Sequence, residues 1–270
     1  MKNKWKKIII HTGDHNIELI SSFLNDLGYE SLLFEEEKII VYTHTTERMD
    51  ILKGKFPGIE YKVKETDDTW SSRLHGDFDV VEAGRFAIVS VDYADKYEGT
   101  LQKVLINPAQ AFGSGQHATT RHCIQFIQDI CDKERIDSFI EVGCGTAILS
   151  LIACKCGVRD VNAFDIDADA VVNAEENMLL NGCDFNIWTE DIEFSDKKYD
   201  LICVNIFAHI IMQNYQRISS YGTNGSFFVF SGIENSQADD IRTCMSAMRL
   251  IREKTTDGWT SFIYQKVQSD

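Results

Sequence analysis

Two stretches decide the fold: Phe139-Ile140-Glu141-Val142-Gly143-Cys144-Gly145 and, further on, Ala163-Phe164-Asp165-Ile166-Asp167. The first reads as a buried strand, Phe139 to Val142, running into a glycine turn. The second reads as the next strand, ending in an acid. Between them Ile148-Leu149-Ser150-Leu151-Ile152-Ala153 carries a helix-like apolar face that stops at Cys156-Gly157. The unit is strand, glycine loop, helix, strand, acid. Glycines let a backbone pass close to a ligand, and an acid at the second strand's tip accepts the hydroxyls of a ribose. The pairing predicts a site for a nucleoside cofactor.

Outward from this unit, residues 101–270 alternate strand and helix patterns. Strands are expected at Val104–Ile106, Phe139–Val142, Val161–Asp165, Asn186–Trp188, Leu201–Asn205 and Phe227–Phe230. Such alternation implies a mostly parallel sheet covered on both faces. Residues 249–256 and 259–267 read as two strands around Asp257-Gly258, a strong hairpin signal. An antiparallel hairpin at the sheet edge is unusual for a dinucleotide-binding domain. It is usual in the S-adenosylmethionine-dependent methyltransferase sheet.

The first 65 residues have their own pattern. Trp5 to His11 is strand-like, and Ile17, Ile20, Phe23, Leu24 and Leu27 recur at helical spacing before Gly28. Two strands flank Glu35-Glu36-Glu37, Thr46 reads as the N-cap of a short helix, and Ile59 to Val63 closes the module. The order β-α-β-β-α-β predicts a ferredoxin-like α+β domain over 1–65 with no catalytic grouping. Residues 66–100 read as a linker region, with a turn at 67–70 and a strand-like run from Phe86 to Val91.

The chain has 270 residues, 44% apolar and 26% charged, with only 2 prolines, so it reads as an ordinary globular protein. Its formal charge of −15 disfavours direct nucleic-acid binding and suits a basic protein partner. Lys2, Lys4, Lys6 and Lys7 form the one basic cluster and read as a solvated end. No stretch has a signal peptide's character or approaches a membrane span of about 20 apolar residues. The 8 cysteines contain no Cys-x-x-Cys pair, so reduced thiols in the cytoplasm are expected and no metal site is.

A dinucleotide fingerprint requires a third glycine where this chain has Ile148, which disfavours nicotinamide or flavin. The methyltransferase form is commonly G-x-G-x-G, and Gly143 and Gly145 match it, with Ala147 last. Around it stand Asn107-Pro108-Ala109-Gln110-Ala111-Phe112-Gly113-Ser114-Gly115-Gln116-His117-Ala118-Thr119-Thr120, then Asn205-Ile206-Phe207-Ala208, then Ser231-Gly232-Ile233. In order and spacing these segments resemble the PrmA family, which methylates large-subunit ribosomal protein eleven. The resemblance covers roughly 104–235, and the N-terminal module is similar in pattern to that family's substrate-recognition domain.

That resemblance implies a Rossmann-like class I methyltransferase with S-adenosyl-L-methionine as cofactor. It implies transfer to lysine side-chain or N-terminal amines of the ribosomal protein; a monomer is expected. Thr120, Gly143, Gly145, Asp165 and Asn205 would contact the cofactor, and Phe112, Gly113 and Gly115 would shape the loop closing over it. Asn205 would hold the acceptor amine, and His117 would offer a proton path. His122 and His209 read as packing or surface residues. Asn107, Ala109, Gln116, Ala118 and Ala147 depart from the family pattern, as do Thr146, Ser71 and His209, while Trp70 keeps it. Two other readings compete: a methyltransferase for a different cytosolic protein, and a non-catalytic S-adenosylmethionine-binding protein. A nucleic-acid methyltransferase ranks below them, because Asn205-Ile206-Phe207 lacks the prolines and terminal aromatic of exocyclic-amine enzymes.

Overall fold

The computed structural model describes residues 5–13, 15, 17–29, 31–35, 38–66, 80–107 and 113–268. The turn read at 67–70, Ser71, Ala109 and the candidate Phe112 lie outside them. The chain divides into two units, Met1–Gly76 and Asp77–Asp270.

In the first unit the strands are β1 (Trp5–His11), β2 (Ser31–Glu35), β3 (Lys38–Thr43) and β4 (Glu60–Thr66). They form one antiparallel sheet in the order β2-β3-β1-β4. Ile8 and Ile10 alternate onto one face of β1, as period-two geometry requires. There they join Ile39 and Val41 under Ile20 and Leu24 of α1 (Ile17–Asp26) and Met49 and Leu52 of α2 (Met49–Lys55). Helix α2 is not capped by Thr46. Its N-cap is Arg48, which makes no side-chain cap bond and instead donates Nη1 to the carbonyl of Leu27, 2.9 Å away, beyond the end of α1. The Thr46 carbonyl accepts the Met49 N–H. A helix this short is held by its two buried side chains more than by its cap.

The second unit holds a seven-stranded sheet in the order β10-β9-β8-β11-β12-β14-β13. Its strands are β8 (Ser138–Val142), β9 (Asp160–Asp165), β10 (Asn186–Thr189), β11 (Tyr199–Asn205), β12 (Gly222–Glu234), β13 (Met248–Thr256) and β14 (Trp259–Lys266). The five from β8 to β12 run parallel, and β14 is antiparallel to both its neighbours. Asp257 at φ 53° and Gly258 at φ 80° make the β13–β14 turn, which therefore matches strand twist.

Both faces of the sheet are covered, and successive residues of one strand feed opposite cores. Phe139, Leu201 and Cys203 pack toward α3 (Ala118–Cys131), α4 (Ile148–Lys155) and α5 (Ala168–Leu180). Ile140, Ile202 and Val204 pack toward α6 (Ala208–Gln213), α7 (Tyr215–Ser220) and α8 (Ala238–Cys244). Burial on both faces is why these strands read as continuous apolar runs. Each fully buried Phe or Leu contributes about 1.5–3 kcal/mol to this packing.

One strand belongs elsewhere. Val104–Ile106 lies in β7 (Gln102–Ile106), which pairs in parallel with β6 (Phe86–Ser90), itself antiparallel to β5 (Val80–Ala83). These three make a separate sheet, in which β6 falls on the strand expected at Phe86 to Val91, while β5 had no counterpart in the reading of 66–100. Phe86, Ile88, Val104 and Ile106 bury their inner face in the core beside α3. Alternation identifies a strand but not its partner, and that is why the sequence placed it in the larger sheet.

Gln128 of α3 ties the small sheet down. Its Oε1 accepts the Arg85 N–H at 2.9 Å, and its Nε2 donates to the carbonyls of Ala83 (3.2 Å) and Ile124 (3.1 Å). Gln128→Leu leaves the Arg85 N–H and the Ala83 carbonyl without that partner. It should cost about 1–3 kcal/mol, seen in thermal unfolding as a fall of about 2–4 °C per kcal/mol. An unchanged midpoint would mean that the small sheet is held by apolar burial alone.

Candidate active site

The site forms where β8 hands over to α4, between neighbours β9 and β11. This is the switch point of the sheet, where chain direction leaves a crevice at the strand tips. The turn 143–147 takes left-handed backbone at Gly143 (φ 71°), Gly145 (φ 51°) and Ala147 (φ 58°). A Cβ on Gly143 would lie 2.6 Å from Ile206 Cγ2, so only glycine fits there. Ala147, fully buried, carries a left-handed conformation that costs a residue with Cβ about 1–2 kcal/mol.

Backbone bonds pin this turn to β9. Gly143 and Cys144 both donate to the Phe164 carbonyl at 3.0 Å, and Gly145 donates to Asp165 Oδ2 at 2.9 Å. The Asp167 N–H reaches the other carboxylate oxygen, Oδ1, at 3.0 Å. Asp165 thus fixes the loop, and a carboxylate's remaining lone pairs can still accept ligand hydroxyls. Capping of α5 falls to Asp167, which accepts the Asp169 N–H at 2.9 Å.

Thr120 lies in the first turn of α3, whose N-cap is His117. Thr120 is 1% exposed, and its Oγ1 has no hydrogen-bond partner among the described residues. The same is true of Asn205 Oδ1 at the tip of β11. Asn205 is in register with Ser231 of β12, and Ser231 Oγ donates to the Thr119 carbonyl at 3.3 Å. Two buried, unsatisfied oxygens therefore stand at neighbouring strand and helix ends. Each costs about 1–3 kcal/mol unless a ligand pairs with it.

The segment before α3 folds onto the glycine turn. Thr146 Oγ1 donates to the Gly113 carbonyl at 2.9 Å, Gly113 sits at φ 116°, and Gly115 packs against Ile88. His117 Nδ1 is 2.7 Å from Thr119 Oγ1, and the ring meets Trp259 edge-on at 4.7 Å. Burial, then the Arg121 charge, lowers its pKa. Past Asn205, the exposed Phe207 stacks on the exposed His209, with ring centres 5.9 Å apart.

Three parts of this site were not read from the sequence. The first is an asparagine ladder on α5. Asn177 exchanges bonds with Asn107 N–H (2.8 Å) and carbonyl (3.1 Å) and donates to the Thr146 carbonyl (3.2 Å). Asn173 also reaches the Asn107 carbonyl, and Asn181 pairs with both backbone groups of Leu105. Spacing of four residues on one helix face was the available signal. The second is Glu141, buried behind the turn, whose Oε2 accepts both the N–H and Oγ–H of Ser150. The third is a buried polar chain: Ser231 to Ser261 (2.7 Å), Ser261 to His122 Nδ1 (2.9 Å), and His122 Nε2 to Thr256 (2.9 Å). It fastens the hairpin to α3, so His122 is a bonded core residue.

This sheet order, with its antiparallel β14 and a glycine turn at the tip of β8, defines a Rossmann-like class I methyltransferase fold. Residues 39–267 match the model of the ribosomal protein L11 methyltransferase (PrmA) family, and the chain belongs to that family. A ribosomal protein L11 methyltransferase of Campylobacter concisus is 35% identical over 61% of this chain and 58% of its own length, less than two thirds of that relative. One from Caldicellulosiruptor saccharolyticus is 27% identical over 97% of this chain and all of its own. A crystal structure of a ribosomal protein L11 methylase from Lactobacillus delbrueckii subsp. bulgaricus superposes with a TM-score of 0.64. It is 25% identical, covering 71% of this chain and 100% of that one. Among the described residues no helix is long and apolar enough to cross a membrane, and no metal-ligating cluster occurs.

Two substitutions test this geometry. Gly232 sits at φ 78°, and a Cβ there would run into the Ile206 backbone. Gly232→Ala should displace 205–206 and weaken nucleoside-cofactor binding at least tenfold by calorimetry, since about 1.4 kcal/mol of lost contact suffices. Unchanged affinity would detach 205–206 from the cofactor.

The pH dependence has two arms of opposite sign. Burial lowers His122 from 6.5 to about 4, so its neutral form is kept on folding. Stability is then full above pH 6.5 and falls as pH drops toward 4. Burial raises Glu141 from 4.5 to about 8, so its contribution is full below pH 4.5 and is lost as pH rises toward 8. In denaturant unfolding across that range, His122→Gln should flatten the acid arm and Glu141→Gln the alkaline arm. Unaltered profiles would remove these groups as the cause.

Proposed function

We propose that this protein transfers methyl groups from S-adenosyl-L-methionine to lysine side-chain or N-terminal amines of ribosomal protein L11. The observation that carries the reading is the pair of buried, unpartnered oxygens, Thr120 Oγ1 and Asn205 Oδ1, beside a glycine turn held by Asp165. They fit a cofactor with a ribose and a polar amino-acid end. When bound, the cofactor supplies an activated methyl on a sulfonium, so the protein's work is placement.

Asp165 accepts the ribose hydroxyls, and Thr120 pairs with a polar group of the cofactor. Gly143 and Gly145 keep the backbone low beneath it, and Gly113 and Gly115 shape the covering segment, with Phe112. The acceptor must be a neutral amine, although a free lysine has a pKa of about 10.4. Desolvation in the crevice favours the neutral form. Asn205 Oδ1 then accepts an amine N–H and aims the lone pair. His117, just before α3, would offer the proton a path out, passing it on rather than holding it, since burial disfavours its charged form.

The N-terminal module, read over 1–65, acts as the recognition unit. Its β-α-β-β-α-β order and β2-β3-β1-β4 sheet support a ferredoxin-like module. A formal charge of −15 supports a basic protein substrate over nucleic acid and steers its approach. We place the protein in the cytoplasm as a monomer.

The test is incubation with S-adenosylmethionine and L11 from the same organism, followed by intact-mass measurement. Mass gains in single-methyl steps are expected. Asn205→Ala should cut the rate at least a hundredfold, about 2.7 kcal/mol of transition-state stabilisation, with cofactor affinity kept within a few-fold. Asp165→Ala should lose affinity first. No mass gain with cofactor binding intact would overturn L11 as the substrate.

A further inference from the structure

A chain of buried hydroxyls and one imidazole leads away from the tip of β11. Asn205 and Ser231 are in register on adjacent parallel strands, so their side chains leave one face of the sheet a single strand spacing, roughly 5 Å, apart. Ser231 Oγ lies 2.7 Å from Ser261 Oγ, nearer than its other partner, the Thr119 carbonyl at 3.3 Å. Ser261 Oγ lies 2.9 Å from His122 Nδ1, and His122 Nε2 lies 2.9 Å from Thr256 Oγ1. Ser231, Ser261 and His122 are buried, while Thr256 is half-buried beside the exposed Asp257. The four residues join the crevice to the edge of the hairpin without a gap. Fastening the hairpin to α3 needs only the two bonds of His122. The Ser231–Ser261 link joins β12 to β14, which already pair through their backbones, and it is this link that reaches the crevice.

We propose that the Ser231–Ser261–His122–Thr256 chain is a proton exit for the acceptor amine, a second route beside His117. It rests on the reading of the activity as transfer to an amine held at Asn205 Oδ1. A lysine side chain arrives mostly as an ammonium, since its pKa is about 10.4, and must lose a proton before its lone pair can attack. In this step one ammonium N–H bond breaks and the proton passes to Ser231 Oγ. The Ser231 hydrogen moves to Ser261 Oγ, the Ser261 hydrogen to His122 Nδ1, the Nε2 hydrogen to Thr256 Oγ1, and the Thr256 hydrogen to water. The amine ends neutral, one proton appears in solvent, and every group between ends uncharged. The chain resets when the site stands open to water, by one proton passing the other way. Hydroxyls both donate and accept, and a neutral imidazole does so at opposite nitrogens, which is why these residue types can relay. Burial, with the charges of Lys254 and Arg121 and the His117 ring, disfavours a charged His122, and Asp257 opposes them. His122 therefore passes the proton on without holding it.

The experiment follows methylation of L11 by intact mass, between about pH 7 and about pH 10, for the wild-type protein, His122→Gln and Ser261→Ala. A glutamine amide can hydrogen-bond in place of the imidazole but cannot pass a proton through itself, and Ser261→Ala cuts the chain one link nearer the crevice. Near pH 7 each variant should be slower by roughly tenfold or more, the scale of one proton-transfer group, with cofactor affinity by calorimetry kept within a few-fold. The deficit should shrink as pH rises toward the lysine pKa, because the amine then arrives neutral and needs no exit. Wild-type rates in both variants would leave His117 as the route, and a deficit of constant size across pH would make the chain structural; either result overturns the proposal. Absence of methylation by the wild-type protein would overturn the reading of the activity, and the proposal with it.

Discussion

The turn from β8 into α4 is held in a left-handed path by bonds from the adjacent strand, and the rest of the site depends on it. Three residues at positive φ bring the backbone of 143–147 down against β9. Such a path is unfavourable by itself, and the Phe164 carbonyl and Asp165 carboxylate hold it. Asp165 therefore has two duties: it braces the loop with one oxygen and offers ligand-directed lone pairs at the strand tip. Because α4 starts where the turn ends, the loop also fixes that helix. Ala147 at the last turn position carries strain that a glycine would avoid, and full burial of its methyl group offsets part of it.

Around this turn the second unit is braced by buried polar groups more than by surface ion pairs. Asn177 joins the glycine turn to the end of β7, Gln128 joins α3 to β5, and His122 joins α3 to the hairpin. Each replaces a bond to water with a bond to a specific element, so each selects one register among several of similar apolar burial. The ion pairs of this unit, such as Arg135–Asp137 and Arg242–Asp239, lie at the exposed rim and contribute little. Thr120 and Asn205 break the pattern of satisfied groups, as do the hydroxyls of Tyr97 and Tyr264, but only the first two stand at a helix start and strand tip beside the glycine turn. Unsatisfied polar groups in an otherwise well-bonded interior mark the place where the protein is complete only with a ligand.

How much of this was legible depended on whether a residue's role is local. The strand from Phe139 to Val142, the helix after the turn and the Asp257-Gly258 hairpin turn announce themselves through periodicity and glycine placement. The Asp167 cap is of the same local kind, because capping acts over two or three residues. Thr46 failed as a cap because Arg48 entered the cap position and reached across to Leu27, a contact between distant segments. Val104–Ile106 was legible as a strand but not as part of a second sheet, since every short apolar strand offers the same backbone edge to any partner. His122 was read as a packing or surface residue. Its bonds come from Ser261 and Thr256, more than a hundred residues away.

The sequence by itself determined the alternation of strand and helix, the glycine turn, the acid at the next strand's tip and the family resemblance. These depend on steric limits and side-chain periodicity within short windows. The tertiary structure alone decided which strands pair and which asparagines grip the turn. It also decided that Thr120 and Asn205 end at one place with their oxygens unpaired. Those outcomes depend on contacts between residues far apart in the chain, where burial removes water and leaves each polar group to find a partner or go without.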